Sequence, residues 1–395
     1  MRTVEEHQRV VAGLIAARAP ITAPIADALG LALAEDVVAP ISLPGFDNSA
    51  MDGYAVLASD IAGASADNPV KLPVAQDIPA GRTDELSIAP GTAHRIMTGA
   101  PVPTGATAVV PVEATDGAVD VVSIRSAARE GQHIRRAGED VTAGMTVLQS
   151  GTVATPAALG LLAALGFGEL KVVPRQRVLV MSTGTELVPP GTPLQPGQIY
   201  ESNAVMLTAA LRDAGAEVVT APMTRDDVAT FRDTLAGHAT DVDLIVTTGG
   251  VSAGAYEVVK DALADEVQFV KVAMQPGMPQ GSGTVHGTPI ITLPGNPVSA
   301  LVSFEVFIRS PLRAAMGLPA DRPHRTAILG EKLTSPAGKR QFRRGVLDDD
   351  GQVSSYGPPA SHHLRWLATA NCLLEIGEDV VELDSGSPVP VWDLR

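Results

Sequence analysis

Between residues 171 and 318 four apolar runs, RVLVMS, EVVTAPM, DLIVTT and TPIITLP, alternate with stretches of helical texture that begin near Asn203, Asp226, Tyr256 and Val298. Nothing else in the chain restricts its folding as strongly. Strands separated by helices pair in parallel through right-handed crossovers. Three of the four runs end in glycine-bearing loops: STGTE at 182–186, TTGGVSAG at 247–254 and LPGNP at 293–297. A parallel sheet delivers all such loops to one edge, which predicts a single crevice there as the ligand site.

At 395 residues the chain exceeds one ordinary core and requires several domains. Its first segment, MRTVEEHQRVVAGLIAARAP, has Thr3 and Glu6 at capping-box spacing and reads as an amphipathic surface helix. The apolar part of that segment is too short to cross a membrane. From about Phe46 to Arg136 short β-rich runs such as VKLPVAQDIPAG and TAVVPVE are broken by Pro and Gly, predicting a small β module. An Ala/Leu-rich connector follows, and residues 319–395 return to short strands between Gly/Pro turns. The expected fold class is therefore multidomain α/β plus β, with a parallel-type sheet, an inserted β module and a C-terminal β domain.

Bulk charge narrows the partners. With 29 basic and 44 acidic residues the formal charge is −15, which argues against nucleic acid and against an anionic membrane surface. Aromatic residues make up only 3%, so broad stacking on bases is not expected. A single cysteine, Cys372, excludes an intrachain disulfide. A cytoplasmic protein is expected. An anionic small ligand needs local help here, from helix N-termini, a few cations or a divalent metal.

Neither a Walker A sequence nor a GxGxxG fingerprint is present, and no zinc-spaced Cys/His set or GxSxG elbow occurs. TTGGVSAG taken alone reads equally well as a structural turn or as a loop whose glycines admit a ligand to the backbone. The helix after LPGNP is expected to begin near Val298 and to turn free N–H groups toward the crevice, each such end favouring a negative charge by about 0.3–1 kcal/mol. Seven carboxylates stand in the motif-like stretches: Asp47, Asp52, Asp140, Glu186, Asp226, Asp227 and Glu257. Singly each reads as a solubilising surface group; beside phosphate-binding loops, one or two of them are the usual protein ligands of Mg2+.

FDNSAMDGYAV, MTGAPVPTGATAVVPVE, AGED, STGTEL, TTGGVSAG, KVAMQPGMP and LPGNPVSALVSF occur in this order along the chain. In that order they resemble the MoeA family of molybdopterin molybdenumtransferases, related to the E domain of gephyrin, from about residue 3 to the end. The resemblance implies an elongated four-domain subunit in a homodimer. Residues 1–45 with 137–170 form one domain, 46–136 the inserted β module, 171–318 a molybdopterin-binding-like α/β domain and 319–395 the C-terminal β domain. The family's cleft lies between the α/β domain of one subunit and the β module of the other.

The implied reaction inserts molybdate into adenylylated molybdopterin and releases AMP with Mg2+ assistance, and a molybdopterin adenylyltransferase is the implied upstream partner. Carried over by motif, Asp52, Asp140, Glu186 and Asp226 are catalytic, and Glu186, Asp226 and Glu257 hold metal. Substrate is bound by Thr98, Ser182, Thr183, Gly184, the loop Gly249, Gly250, Val251, Ser252 and Gly254, Lys260, Lys271, Pro294, Gly295, Asn296, Pro297, Arg344 and Ser361.

The sequence departs from the family pattern where PGKP becomes PGMP at Met278, and where a lysine common in the family is Gln275; Glu257 replaces an aspartate with the charge kept. Losing a lysine at an oxyanion site removes a charge-assisted contact of about 1.5–3 kcal/mol, or about one to two decades of affinity. Two readings follow: a transferase that tolerates Met278 or compensates through Lys271 and Arg344, and a paralogue that keeps the fold as a pterin-binding or scaffolding protein. Tungstate is as good an oxyanion as molybdate at this level.

Overall fold

The structure is a computed structural model that describes residues 1–221, 223–224, 227–250 and 258–395. The chain divides into two compact units, Met1–Ala23, Ala28–Ala34 and Lys171–Arg395 in one and Pro24–Asp27 and Glu35–Leu170 in the other.

The first unit opens with helix α1, Val4–Leu14. Its capping box is closed, since the Glu6 N–H donates to Thr3 Oγ1 at 3.1 Å and the Thr3 N–H to Glu6 Oε2 at 2.8 Å. Val4, His7 and Val11 lie on one stripe and are buried. There follow β1 (Arg177–Ser182), α2 (Asn203–Asp213), β2 (Glu217–Thr220), α3 (Val228–Ala239), β3 (Leu244–Thr248), α4 (Val258–Ala262), β4 (Val267–Lys271), β5 (Pro279–Val285), β6 (Thr288–Leu293) and α5 (Pro297–Ser303). One sheet takes the order β2-β1-β3-β6-β5-β4.

The four apolar runs are the four parallel strands, β2, β1, β3 and β6. Their alternate residues enter two cores. Val178, Val180, Leu244, Val246, Ile291 and Leu293 join α1 and α2 on one face, while Leu179, Met181, Ile245 and Ile290 meet Phe231 and Leu235 of α3 on the other. Burial on both faces is why these strands read as unbroken apolar runs.

Two further strands, β4 and β5, extend the sheet antiparallel and have no counterpart in the sequence reading. The β5–β6 hairpin turns on His286 (φ 52°) and Gly287 (φ 84°), the two left-handed positions that a tight hairpin requires. Strand β5 reads PQGSGTV because its neighbours sit too close for side chains: a Cβ on Gly281 would lie 2.1 Å from Thr292 Oγ1, and one on Gly283 2.1 Å from the Glu266 carbonyl.

Beyond α5 the helix continues through a π-helical stretch, Phe304–Arg309, into Ser310–Ala315. Strands β7 (His324–Leu329), β8 (Arg340–Leu347), β9 (Gln352–Ser355), β10 (Cys372–Ile376) and β11 (Pro388–Asp393) form the C-terminal β domain, in the order β8-β9-β7-β11-β10 with β10 pairing back to β8. That return closes the sheet into a barrel and removes its edges. In the second unit, strands Gly53–Val56, Val70–Ile78, Ala93–Ile96, Ala108–Pro111 and Val121–Ile124 make a five-stranded sheet around Tyr54, Ile61, Val110 and Ile124. Among the described residues no helix is long and apolar enough to cross a membrane.

Candidate functional site

Strands β1, β3 and β6 end level with one another, since Ser182 pairs with Thr248 and Thr248 with Leu293. Their loops therefore emerge side by side, as the alternation of strands and helices predicts. They wall a cavity of about 660 Å³ lined by Ser182, Thr183, Gly184, Glu186, Thr248, Gly249, Gly250 and Pro294 to Pro297. The lining also includes Leu187, Tyr200, Glu201, Ser202, Asn203, Ser299 and His362. Gly249 has φ 93°, and a Cβ there would sit 2.8 Å from the Thr183 carbonyl, so only glycine lets the two loops approach this closely. The Ser182 Oγ, Thr183 Oγ1 and Thr224 Oγ1 hydroxyls are buried with no hydrogen-bond partner among the described residues. Such a row of glycines and hydroxyls at a strand edge suits a ligand rich in acceptor oxygens.

The LPGNP turn is held from three directions. Thr248 Oγ1 donates to the Pro294 carbonyl at 3.1 Å, Asn203 Nδ2 donates to the Gly295 carbonyl at 2.7 Å, and Asn296 Nδ2 donates to Ser361 Oγ at 3.0 Å. The expected free N–H groups of the following helix need correction. Helix α5 starts at Pro297, which has no N–H, and the Val298 N–H donates to the Ser361 carbonyl at 3.0 Å. A segment of the C-terminal domain thus occupies part of the helix end that was expected to face a ligand.

Models of three families match along the chain: the MoeA N-terminal region (domain I and II) over residues 2–166, a probable molybdopterin binding domain over 179–314, and the MoeA C-terminal region (domain IV) over 326–394. The chain belongs to the MoeA family. It is 68% identical to molybdopterin molybdenumtransferase 2 of Mycobacterium tuberculosis, with 100% of both chains covered. With the molybdopterin molybdenumtransferase of Bacillus subtilis it shares 34% identity over 93% of this chain and 88% of the relative. Its fold matches a crystal structure of the molybdopterin biosynthesis MoeA protein from Pyrococcus horikosii at a TM-score of 0.83 and 30% identity, covering 100% of this chain and 99% of that one.

Within this MoeA chain the residues singled out from the sequence fall into several groups. Ser182, Thr183, Gly184, Glu186, Gly249, Gly250 and Pro294 to Pro297 share the cavity. Asp226, Val251, Ser252, Gly254 and Glu257 lie outside the described residues. Among the described residues no three His, Cys, Asp or Glu side chains group closely enough to hold a metal ion. Lys260, on α4, and Lys271, at the end of β4, are exposed and do not line the cavity. Among its described lining residues there is no Lys or Arg, and Glu186 and Glu201 are its carboxylates.

Arg344 is 3% exposed, and its guanidinium donates to the carbonyls of His363, at 3.0 Å, and Pro358. Burial, with Arg343 nearby, lowers its pKa. Its side chain thereby holds the segment 358–363 that carries Ser361 and His362. In the second unit Asp52 Oδ1 accepts from the Thr98 N–H at 2.7 Å, and the backbone and hydroxyl of Thr98 hold its carboxyl below the usual carboxylate range. Asp140 is exposed on the turn whose N–H donates to the Leu43 carbonyl. Asp47 fastens that turn, accepting from the Ala137 N–H at 2.8 Å and Arg136 Nη1 at 2.6 Å.

Sequence reasoning missed Tyr200, Glu201, Ser202, Asn203, Ser299 and His362. The signal for the first four was available, because IYESNA immediately precedes or opens a helix at the same sheet edge as the three glycine loops.

Proposed function

We propose that this protein is a molybdopterin molybdenumtransferase that inserts molybdate into adenylylated molybdopterin and releases AMP, with Mg2+ assisting. The observation that carries the reading is the convergence of three glycine-bearing loops on one cavity at the carboxyl edge of a parallel sheet. Such an edge lets backbone N–H groups and hydroxyls surround a phosphate. The relatives that carry this enzyme name, at 68% and 34% identity over most of the chain, support the same conclusion, and place the chain in molybdenum cofactor biosynthesis.

The described cavity offers carboxylates and no cation of its own. A dianionic substrate therefore calls for counter-charge from outside that lining. Glu186, with Asp226 and Glu257, provides the hard oxygen donors that Mg2+ takes, and the bound ion would neutralise charge on the pyrophosphate. In this reading Thr183, Gly184, Gly249 and Gly250 bring backbone close to the substrate phosphate, and Ser182 and Thr183 give it hydroxyl donors. Asp52, Thr98, Asp140, Lys260 and Lys271 complete the proposed set, while Arg344 and Ser361 act by holding the 358–363 segment and the start of α5. The proposal includes a cytoplasmic homodimer, the four-domain division given above, and supply of substrate by a molybdopterin adenylyltransferase.

One observation favours the scaffold reading: Met278 directly precedes Pro279 at the cavity wall, where a lysine would serve an oxyanion. Molybdate-dependent AMP release tests both. The natural protein is expected to turn over, and Met278→Lys to tighten molybdate by about tenfold or more, the value of one charge-assisted contact. Silence of both proteins would discard the enzyme.

A further inference from the structure

We propose that Asn203 is a positioning residue that locks the two glycine loops of the cleft to each other, so that the affinity for the substrate depends on a side chain outside both loops. The inference rests on the transferase reading for its kinetic consequence, though not for the lock itself. Asn203 is the first residue of α2 and lines the cavity. Its Nδ2 donates to Thr248 Oγ1 at 3.1 Å, at the end of β3, and to the Gly295 carbonyl at 2.7 Å, in the turn after β6. Thr248 Oγ1 passes its own hydrogen to the Pro294 carbonyl at 3.1 Å. Both amide hydrogens and the hydroxyl hydrogen are thus committed, and every one of them goes to the two loops or the link between them. Turning the amide over would set its oxygen against the Gly295 carbonyl, so the donors decide its orientation.

Ordinary helix capping does not account for this arrangement. The N-cap residue of α2, Ser202, makes no side-chain cap, and the first turn is served by Glu201, whose Oε1 accepts from the Ala204 N–H at 2.7 Å. The Asn203 side chain is free of that duty and reaches away from its own helix. Where it reaches, spacing is critical: a Cβ on Gly295 would lie only 3.4 Å from Gly249 Cα. With no side chain on either glycine, the loops are tied directly by the Gly249 N–H to the Leu293 carbonyl at 3.2 Å and by Thr248 Oγ1 to the Pro294 carbonyl, and the Asn203 amide adds a side-chain bridge across them. The Asn203 Oδ1 atom is buried with no donor among the described residues.

The test compares Asn203→Ala, Thr248→Val, their combination and Thr248→Ser in the full-length protein. Loss of the link is expected to raise KM for adenylylated molybdopterin about tenfold in each single variant, with kcat within about threefold. The double variant should fall well short of the product of the single effects, since both single variants cut the same Asn203–Thr248 bond. Thr248→Ser keeps the hydroxyl and should keep the natural KM. Amide hydrogen exchange provides a readout independent of catalysis: in Asn203→Ala the segments 246–250 and 293–298 should lose protection together while β2 and the C-terminal barrel keep theirs. Unchanged exchange in both segments overturns the lock, as do independent, multiplying effects on KM. If the natural protein releases no AMP, the transferase reading fails and the exchange result still decides the lock. Should Asn203→Ala fail to fold, the near-isosteric Thr248→Val carries both measurements.

Discussion

Gly295 and Gly249 show how much of the site depends on single residues. The space beside Gly295 ends at Gly249 Cα, 3.4 Å from where a Cβ would stand, and Gly295 itself is exposed on the cavity wall. A valine there sets its first carbon 3.4 Å from Gly249 Cα, so its branches either crowd the TTGG loop or fill the cavity that the substrate needs. Gly295→Val is expected to weaken binding of adenylylated molybdopterin at least tenfold, because about 1–3 kcal/mol of overpacking falls on the loops that touch the ligand. The thermal midpoint should move by only a few degrees, and calorimetry beside a binding titration checks both; equal damage to the two would make LPGNP a plain turn. Glycine and proline positions of this kind were legible in the sequence because their backbone preferences are local. Asn203 was not, since nothing local distinguishes an asparagine that caps its own helix from one that reaches for a loop 92 residues away.

At the scale of elements, α1 illustrates a helix whose ends were legible and whose docking was not. The capping box at Thr3 and Glu6 forms as its spacing predicts. What the helix docks against is the π-helical stretch, where His7, fully buried, meets Phe307 edge-to-face at 4.6 Å between ring centres. Burial, helped by the Arg2 charge, pushes the His7 imidazole down to about 4. The unfolded chain, with an ordinary histidine near 6.5, then binds the extra proton first as pH falls, so stability declines from about pH 6.5 down to about pH 4 and levels off below. Acidification from pH 7 to 5 should cost about 2 kcal/mol through this group. Urea unfolding at the two pH values checks it: His7→Leu should show a smaller loss than the natural protein. Strands β4 and β5 mark the opposite case. The glycines of β5 serve close contacts made across the sheet, Gly281 with the Thr292 side chain and Gly283 with the Glu266 backbone, and periodicity has nothing to register there.

For the molecule as a whole, the decisive contacts join its domains. Glu305, 6% exposed in the π-helical stretch of the α/β domain, receives Arg322 through two hydrogen bonds of 3.1 and 3.0 Å and also faces Arg309 Nε at 3.7 Å. Arg322 lies on the connector into the C-terminal barrel and reaches the Leu394 carbonyl at 3.4 Å. Glu305→Ala removes the buried carboxylate shared by two largely buried guanidiniums, leaving them the longer contacts to Asp213 at 3.5 and 3.9 Å, and is expected to destabilise the protein by about 3 kcal/mol. Adding Arg322→Met should recover part of that loss, and denaturant midpoints of the single and double variants measure it; additive losses would mean the pair is not coupled. The amino-acid sequence by itself determined the four parallel strands, their shared edge, the capped first helix and the glycine loops, because periodicity, turn chemistry and caps act over a few residues. It also carried the family, since the motif order survives without any geometry. Only the tertiary structure decided that the C-terminal domain's Ser361 meets the start of α5, that Arg344 serves a backbone segment, and that Asn203 joins two loops. These pairings span up to 92 residues, and each exists only once folding has brought segments distant in the chain to hydrogen-bonding distance, which no local preference specifies.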